Sequence, residues 1–220
     1  MTPANIAGMA YMNGLQIIAL TDHNSVRNCP AFFAEASGYP ICPIAGMELT
    51  TAEEIHLLCL FPTLEAALSF GSFVDEHRVR YPNRPEIFGR QTVYDENDRI
   101  CEEVPFLLPP ATDLSLDEAV AELRRRGAFV CPAHIDRPAN GMIGILGTIP
   151  QSYGFSCVEF SIDARAKGSE TAIMAEHGLN QKIIYNSDAH FLWDIADGSS
   201  KLALPFDHPT AENVIEYLKK

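Results

Sequence analysis

The sequence predicts a single α/β domain, because short apolar runs rich in β-branched residues alternate with helical patterns along most of its length. Of its 220 residues 47% are hydrophobic, which is enough to form one sizeable core. The alternation indicates βα units and a largely parallel sheet, either open or closed into a barrel. We therefore treat residues 1–220 as one domain.

The predicted helices begin at recognisable capping residues. Thr2 and Pro3 are a typical N-cap and first-turn pair. Ser115 and Glu118 have the spacing of a capping box, in which each residue satisfies a free backbone N–H of the other. The predicted helices span about 3–13, 63–80, 115–126 and 209–218.

The predicted strands are the apolar runs that turn residues separate from these helices. They span residues 15–20, 41–49, 54–61, 128–131, 157–160 and 182–186. Residues 81–112 interrupt the alternation, since they are rich in Pro, Asn, Asp and Glu and too long for an ordinary connection. We expect this segment to be an excursion or lid, mobile over the mouth of the fold, and not a separate domain.

Composition bears on the function classes that the chain can serve. The formal net charge of −13 and the lack of a basic stripe argue against binding a nucleic-acid polymer. No apolar run reaches the length of about 18–20 residues that spans a bilayer, so no membrane association is expected. Six scattered cysteines without a Cys-x-x-Cys pair suit a reducing cytoplasm. The sequence does not predict the oligomeric state.

Ionisable side chains recur where the predicted strands end. Four of the seven histidines and two carboxylates take such positions. A single histidine after a strand is more often an ordinary turn residue, but strand ends in parallel α/β folds meet at one mouth, so the repeated pattern favours a metal site. Mixed imidazoles and carboxylates suit Zn, Mn or Fe. The candidate ligands are His23, Glu48, His56, His134, Asp188 and His190.

The ordered motifs Thr-Asp-His-Asn, Gly-x-Glu, Glu-Ile-His-Leu-Leu, Pro-Ala-His and Asn-Ser-Asp-Ala-His resemble those of the PHP (polymerase and histidinol phosphatase) family. The resemblance covers nearly the whole chain. It implies an irregular seven-stranded βα barrel that holds a trinuclear metal site and hydrolyses phosphate esters with metal-activated water.

The resemblance also implies a role for each candidate ligand. His23 and His190 would ligate one outer metal, Glu48 would bridge two metals, and Asp188 would hold the third. The two remaining histidines of the set would hold a metal together. We therefore expect two or three divalent metal ions, Mn, Zn or Fe.

The chain departs from the family at its start. Family members open with Asp-Leu-His-x-His-Ser on a first barrel strand, whereas this sequence has no histidine before His23. The barrel is thus predicted without its first strand, the metal shared by Glu48 and Asp188 loses protein ligands, and the native start is expected roughly 20–30 residues upstream.

The resulting prediction is a cytoplasmic phosphoesterase that acts on a small phosphomonoester or nucleotide. Glu48, Asp188 and Arg137 are the candidate catalytic residues, with Arg137 as a phosphate clamp; a solvated loop arginine explains it equally well. Lys201 is a lesser candidate. Two alternatives stay open: a truncated or degenerate PHP chain that binds metal or a partner without turnover, and an amidohydrolase-like C–N hydrolase. The second would need a metal-bridging lysine at a strand end.

Overall fold

A computed structural model of the chain describes residues 1–197 and 204–220, so Lys201 lies outside the described residues. The strands within them are β1 (Ile17–Leu20), β2 (Cys42–Thr50), β3 (His56–Phe61), β4 (Thr92–Tyr94), β5 (Ile100–Glu103), β6 (Phe129–Pro132), β7 (Cys157–Phe160) and β8 (Lys182–Tyr185). The helices are α1 (Pro3–Met12), α2 (Cys29–Ala36), α3 (Leu64–Glu76), α4 (Pro85–Phe88), α5 (Leu116–Arg125), α6 (Met142–Leu146), α7 (Ile162–Lys167), α8 (Glu170–Glu176) and α9 (Ala211–Leu218). Every helix in this part of the chain is too short or too polar to cross a bilayer.

The strands and helices predicted from apolar runs and caps are confirmed, with small shifts at their ends. Thr2 caps α1 through its side chain, and Ser115 and Glu118 form the predicted capping box of α5. Helices α2, α4, α6, α7 and α8 were not predicted, and neither was the β4–β5 hairpin inside the excursion at 81–112.

The main sheet has the order β1-β2-β3-β6 and is mixed, which corrects the prediction of a largely parallel sheet. Strand β1 is parallel to β2, but β3 is antiparallel to both of its neighbours. The reason is the connection at 51–55: parallel strands need a crossover of about a dozen residues, so β3 must turn straight back along β2.

The predicted closed seven-stranded barrel is not found in the described residues. Strands β7 and β8 form a separate parallel pair, and β4 and β5 form an antiparallel pair. Strand β1 is an edge of the main sheet. A further strand beside it stays a prediction.

The reversed direction of β3 determines where the candidate ligands meet. Its first residue, His56, pairs with Thr50 at the end of β2, and Leu57 pairs with Pro132 at the end of β6. An isolated parallel bridge between His23 and Glu48 continues the β1–β2 pairing beyond β1. The start of β3 and the ends of β1, β2 and β6 therefore lie at the same end of the sheet.

Both faces of the main sheet are covered by apolar side chains. Along β3, Leu57, Cys59 and Phe61 belong to a core that includes residues of α3 and α5, whereas Leu58 and Leu60 belong to a second core that includes residues of α9. This alternation follows from the two-residue repeat of a strand. Full burial of a side chain of this size contributes about 1.5–3 kcal/mol, so packing on both faces stabilises the end of the sheet that carries the candidate ligands.

Gly46 lies where the end of β1 approaches β2 and β3 most closely. A β-carbon there would lie 2.6 Å from the Thr21 Cγ2 atom and 2.9 Å from the Cys59 carbonyl oxygen. Only a residue without a side chain fits. Because Glu48 follows two residues later, this close packing also sets the position of its carboxylate.

Asn24 connects this end of the sheet to the excursion at 81–112 through hydrogen bonds. Its side chain is fully buried and donates to the carbonyl oxygens of Leu108 (2.8 Å) and Pro110 (3.0 Å). Its Oδ1 atom accepts the Thr50 N–H at 2.7 Å. One amide therefore connects the residue after His23 with the end of β2 and with the end of the excursion.

The hairpin of the excursion packs against the start of α2. The Asn28 side chain donates to the Thr92 carbonyl oxygen and accepts the Tyr94 N–H. These bonds hold β4 beside the connection between β1 and α2. A mobile lid formed by residues 81–112 stays a prediction.

Gly46→Ala is expected to destabilise the protein by about 1–3 kcal/mol, because the added methyl group meets backbone that cannot move independently. Urea unfolding followed by circular dichroism measures this. Gly8→Ala is the control, since its nearest contact is an ordinary 3.5 Å to Tyr39 inside helix α1. It should gain about 0.5–1 kcal/mol. Equal midpoints for both variants would contradict the close approach.

Asn24→Ala is expected to lower the free energy of unfolding by about 2–4 kcal/mol, because three hydrogen-bonding groups lose a buried partner. The backbone at Asn24 has φ +48°, which an alanine tolerates poorly. Asn24→Gly loses the same bonds but accepts this φ, so it should unfold at a higher urea concentration than Asn24→Ala. If both variants had wild-type stability, the hydrogen bonds of the Asn24 side chain would not stabilise the fold.

Candidate metal centre

The carboxylate of Glu48 lies between three imidazoles. Its Oε2 atom is 3.1 Å from His23 Nδ1, and its Oε1 atom is 3.0 Å from His56 Nδ1 and 3.1 Å from His134 Nε2. The last two nitrogens are 3.2 Å apart. Each carboxylate oxygen thus faces a different group of imidazole nitrogens, the arrangement that a ligand shared by two cations needs.

The remaining candidates extend this cluster on one side. The His190 and His23 rings lie with their centroids 5.7 Å apart. Asp188, two residues before His190, pairs through Oδ2 with Arg137 Nη1 at 2.7 Å. All six predicted ligands therefore lie in one contiguous site, and Arg137 reaches it through Asp188.

The protonation states of Glu48 and His23 suit metal ligands. Burial raises the pKa of Glu48, but hydrogen bonds from His134 and His56 and the nearby His23 outweigh it, so the pKa lies well below its ordinary value. Burial lowers the pKa of His23, and although Glu48 opposes this, the His56 and His190 rings add to it. Glu48 is an anion and His23 a neutral imidazole, which are the forms that bind cations.

One ring nitrogen of the cluster fits a cation better than a hydrogen bond. His23 Nδ1 is buried and makes no hydrogen bond, although it lies 3.1 Å from Glu48 Oε2. Buried polar atoms are rarely left so. One ligand atom each from His23, Glu48 and His56 lie within 4.8 Å of one another. The mixed nitrogen and oxygen donors suit Zn, Mn or Fe.

The backbone at the site adopts an uncommon conformation. His134 and Asp188 have φ of +29° and +47°, and Asn24, next to His23, also lies in this left-handed region. Asn, Asp and His are the residues that enter it most readily after glycine. Such positions cost about 1–3 kcal/mol each and persist where surrounding contacts hold them, often at functional sites.

Glu159 supports the site from beneath, and the sequence analysis missed this role. It is 6% exposed on β7. Its carboxylate accepts the His134 N–H at 3.1 Å and a bond from the Asn186 amide. Burial raises the pKa of Glu159, and these two bonds offset only part of the rise. A carboxylate inside the apolar run Cys-Val-Glu-Phe was the available signal.

A cavity of about 670 Å³ opens beside the cluster, between the edge strands β1 and β8. Residues 14–23 and 184–190 line it, together with Glu48 and Glu159. No described residue of the excursion at 81–112 is among them. The cavity gives a small molecule access to the side of the cluster that carries His23, Asp188 and His190.

Three solved structures have a similar fold. A candidate metal-dependent phosphoesterase from Bifidobacterium adolescentis is 15% identical, with a TM-score of 0.57 over 99% of this chain and 90% of that chain. The lesion-specific endonuclease Q of Pyrococcus furiosus is 21% identical, with a TM-score of 0.59 over 86% of this chain. This chain spans only 44% of the endonuclease.

An amidohydrolase from Chromobacterium violaceum, solved with bound sulfate and no metal, is 18% identical. Its TM-score is 0.51 over 99% of this chain and 92% of that chain. At such identities these likenesses show the fold alone. A search of curated proteins found no match.

The family model of the PHP domain matches residues 1–102. This segment carries the Thr-Asp-His-Asn motif, the Glu48 carboxylate and His56. The match covers a little under half of the chain and confirms, over residues 1–102, the resemblance that the motifs indicated.

Proposed function

We propose that the chain is a metal-dependent phosphoesterase that hydrolyses a small phosphomonoester or nucleotide. The observation that carries this is the Glu48 carboxylate, whose two oxygens face different imidazoles while the buried His23 Nδ1 beside it makes no hydrogen bond. The PHP match and the fold shared with a candidate phosphoesterase support it.

The chain's own residues would divide the work between holding cations and holding the ester. His23, His56 and His134 would hold two cations with Glu48 shared between them. Divalent cations there supply an activated water and stabilise the charge of a leaving oxygen. Arg137 pairs with Asp188 and is half exposed, so its guanidinium is able to bind an incoming phosphate oxygen as well.

The surface of the chain favours a small substrate. A net charge of −13 repels a polyanion, whereas a single phosphate group can enter the cavity beside the cluster. The cysteines are free and four of them are buried, which supports a cytoplasmic location. No lysine among the described residues lines the cavity, and this disfavours the amidohydrolase-like alternative.

The second candidate function is metal binding without turnover. The salt bridge between Asp188 and Arg137 favours it, because it neutralises the carboxylate predicted to hold a third metal. A phosphatase assay on the metal-loaded protein, across small phosphomonoesters, separates this candidate from the first.

Purified protein is expected to carry about one or two Mn, Fe or Zn ions per chain, as measured by elemental analysis after mild purification. The double variant His56→Ala, His134→Ala should lose one of them. The matched control is His77→Ala, His177→Ala, since both residues end helices outside the cluster. Metal content that is the same in both double variants would contradict the assignment.

Glu48→Gln is expected to reduce phosphatase turnover on the order of 10²-fold or more, since the charge shared by two cations is lost while the size is kept. Glu53→Gln is the control: the Glu53 carboxylate accepts the Leu116 N–H at the start of α5, and a glutamine still can. Equal effects would remove the bridging role. If the wild type has no turnover, metal content replaces it as the readout.

A further inference from the structure

Two exposed aromatic rings stack on each other directly after the ligand His190. The Phe191 and Trp193 rings are 4.9 Å apart between centroids and only 3° from parallel. Phe191 is 54% exposed and Trp193, the one tryptophan of the chain, is 77% exposed. Large aromatic surface left in water at such a position is costly, so a ligand that covers it would gain free energy.

The segment beneath the pair holds the two rings in place. Leu192, between them in sequence, packs against the main core, and Ile195 is buried. The Asn13 side chain of the first helix donates to the Ile195 carbonyl oxygen at 2.8 Å. Leu192 and Ile195 therefore anchor this segment, while Phe191 and Trp193 carry exposed rings.

The pair is joined in sequence to the wall of the cavity beside the metal cluster. Residues 184–190 line this cavity, and so do Ile195 and Ala196; Phe191 and Trp193 lie between these two stretches of the sequence and are exposed, and neither is part of the wall itself. The ring of His190, next to Phe191, contacts His23. Exposed aromatic surface thus begins one residue after a side chain that lies beside the cluster.

We propose that Phe191 and Trp193 form a stacking platform for the planar ring of the substrate. The ligand class is a phosphate ester that bears an aromatic heterocycle, such as a nucleoside monophosphate. Every nucleobase has a flat π-face that stacks on exposed aromatic side chains. The proposal rests on the proposed function for its phosphate subsite, and it adds the part of the substrate that is recognised away from the phosphate.

The first test is a binding titration that uses the fluorescence of Trp193. Adenosine monophosphate, adenosine, ribose phosphate and inorganic phosphate are the probes, each added to Mn-loaded and to EDTA-treated protein. The two adenine-bearing probes should quench the tryptophan, and adenosine monophosphate should bind about tenfold more tightly than ribose phosphate. Equal affinities for these two phosphates, or no quenching by either adenine probe, would overturn the platform.

The second test removes a ring and measures binding by equilibrium dialysis. Trp193→Leu should weaken adenosine monophosphate binding about tenfold and leave ribose phosphate binding unchanged. Phe88→Leu is the matched control, since Phe88 is also half exposed, packs against another planar group, the Arg84 guanidinium, and belongs to the excursion at 81–112, of which no described residue lines the cavity. Equal losses in the two variants would refute the proposal.

The outcomes separate this proposal from the proposed function. If the protein binds no metal and hydrolyses nothing, yet adenosine still quenches Trp193, the platform stands alone. If it hydrolyses adenosine monophosphate and ribose phosphate with the same KM, the phosphoesterase stands and the platform falls. Self-association that Trp193→Leu abolishes, in sedimentation runs without ligand, would make the pair an interface between copies and also overturn the platform.

Discussion

The shared carboxylate of Glu48 is the constraint on which the rest of the structure depends. One anion faces three imidazoles from three other strand ends, at distances of 3.0–3.1 Å. Such an arrangement requires four chain segments to meet at the same end of the sheet with the correct pairing register. The parallel bridge between His23 and Glu48 and the reversal of β3 meet this requirement. Hydrophobic packing on both faces of the sheet then keeps these four segments in position, so that the imidazoles stay close to the Glu48 carboxylate.

The secondary structure that depends on local signals could be predicted from the sequence, but strand direction was misjudged. Apolar runs and caps gave the core strands and four helices. The short connection at 51–55 also determines that β3 runs antiparallel to β2. The prediction instead followed the general pattern of βα units and did not take the length of this connection into account. The hairpin of the excursion lacked a signal, because every residue of Ile100–Glu103 is exposed and shows no alternation.

The ligands could be predicted because their chemistry is carried by residue type and by position at strand ends. Their supports could not, since these act through contacts between distant segments. Asn24 reaches residues more than 80 positions later, and Glu159 reaches the backbone of His134 from another strand. The salt bridge between Arg137 and Asp188 is likewise a property of the folded chain. Residue type alone did not distinguish it from a phosphate clamp.

A cation bound at this cluster would couple binding to folding. A buried polar atom without a hydrogen bond costs about 1–3 kcal/mol, and His23 Nδ1 is in this condition. A cation would accept its lone pair and meet the negative charge of Glu48, so binding would favour the folded chain over the unfolded one. The strained backbone at His134 and Asp188 is a further cost of the folded state, which the contacts around the site offset. The features of the site that lower the stability of the folded chain are therefore the same ones that place its side chains for a cation.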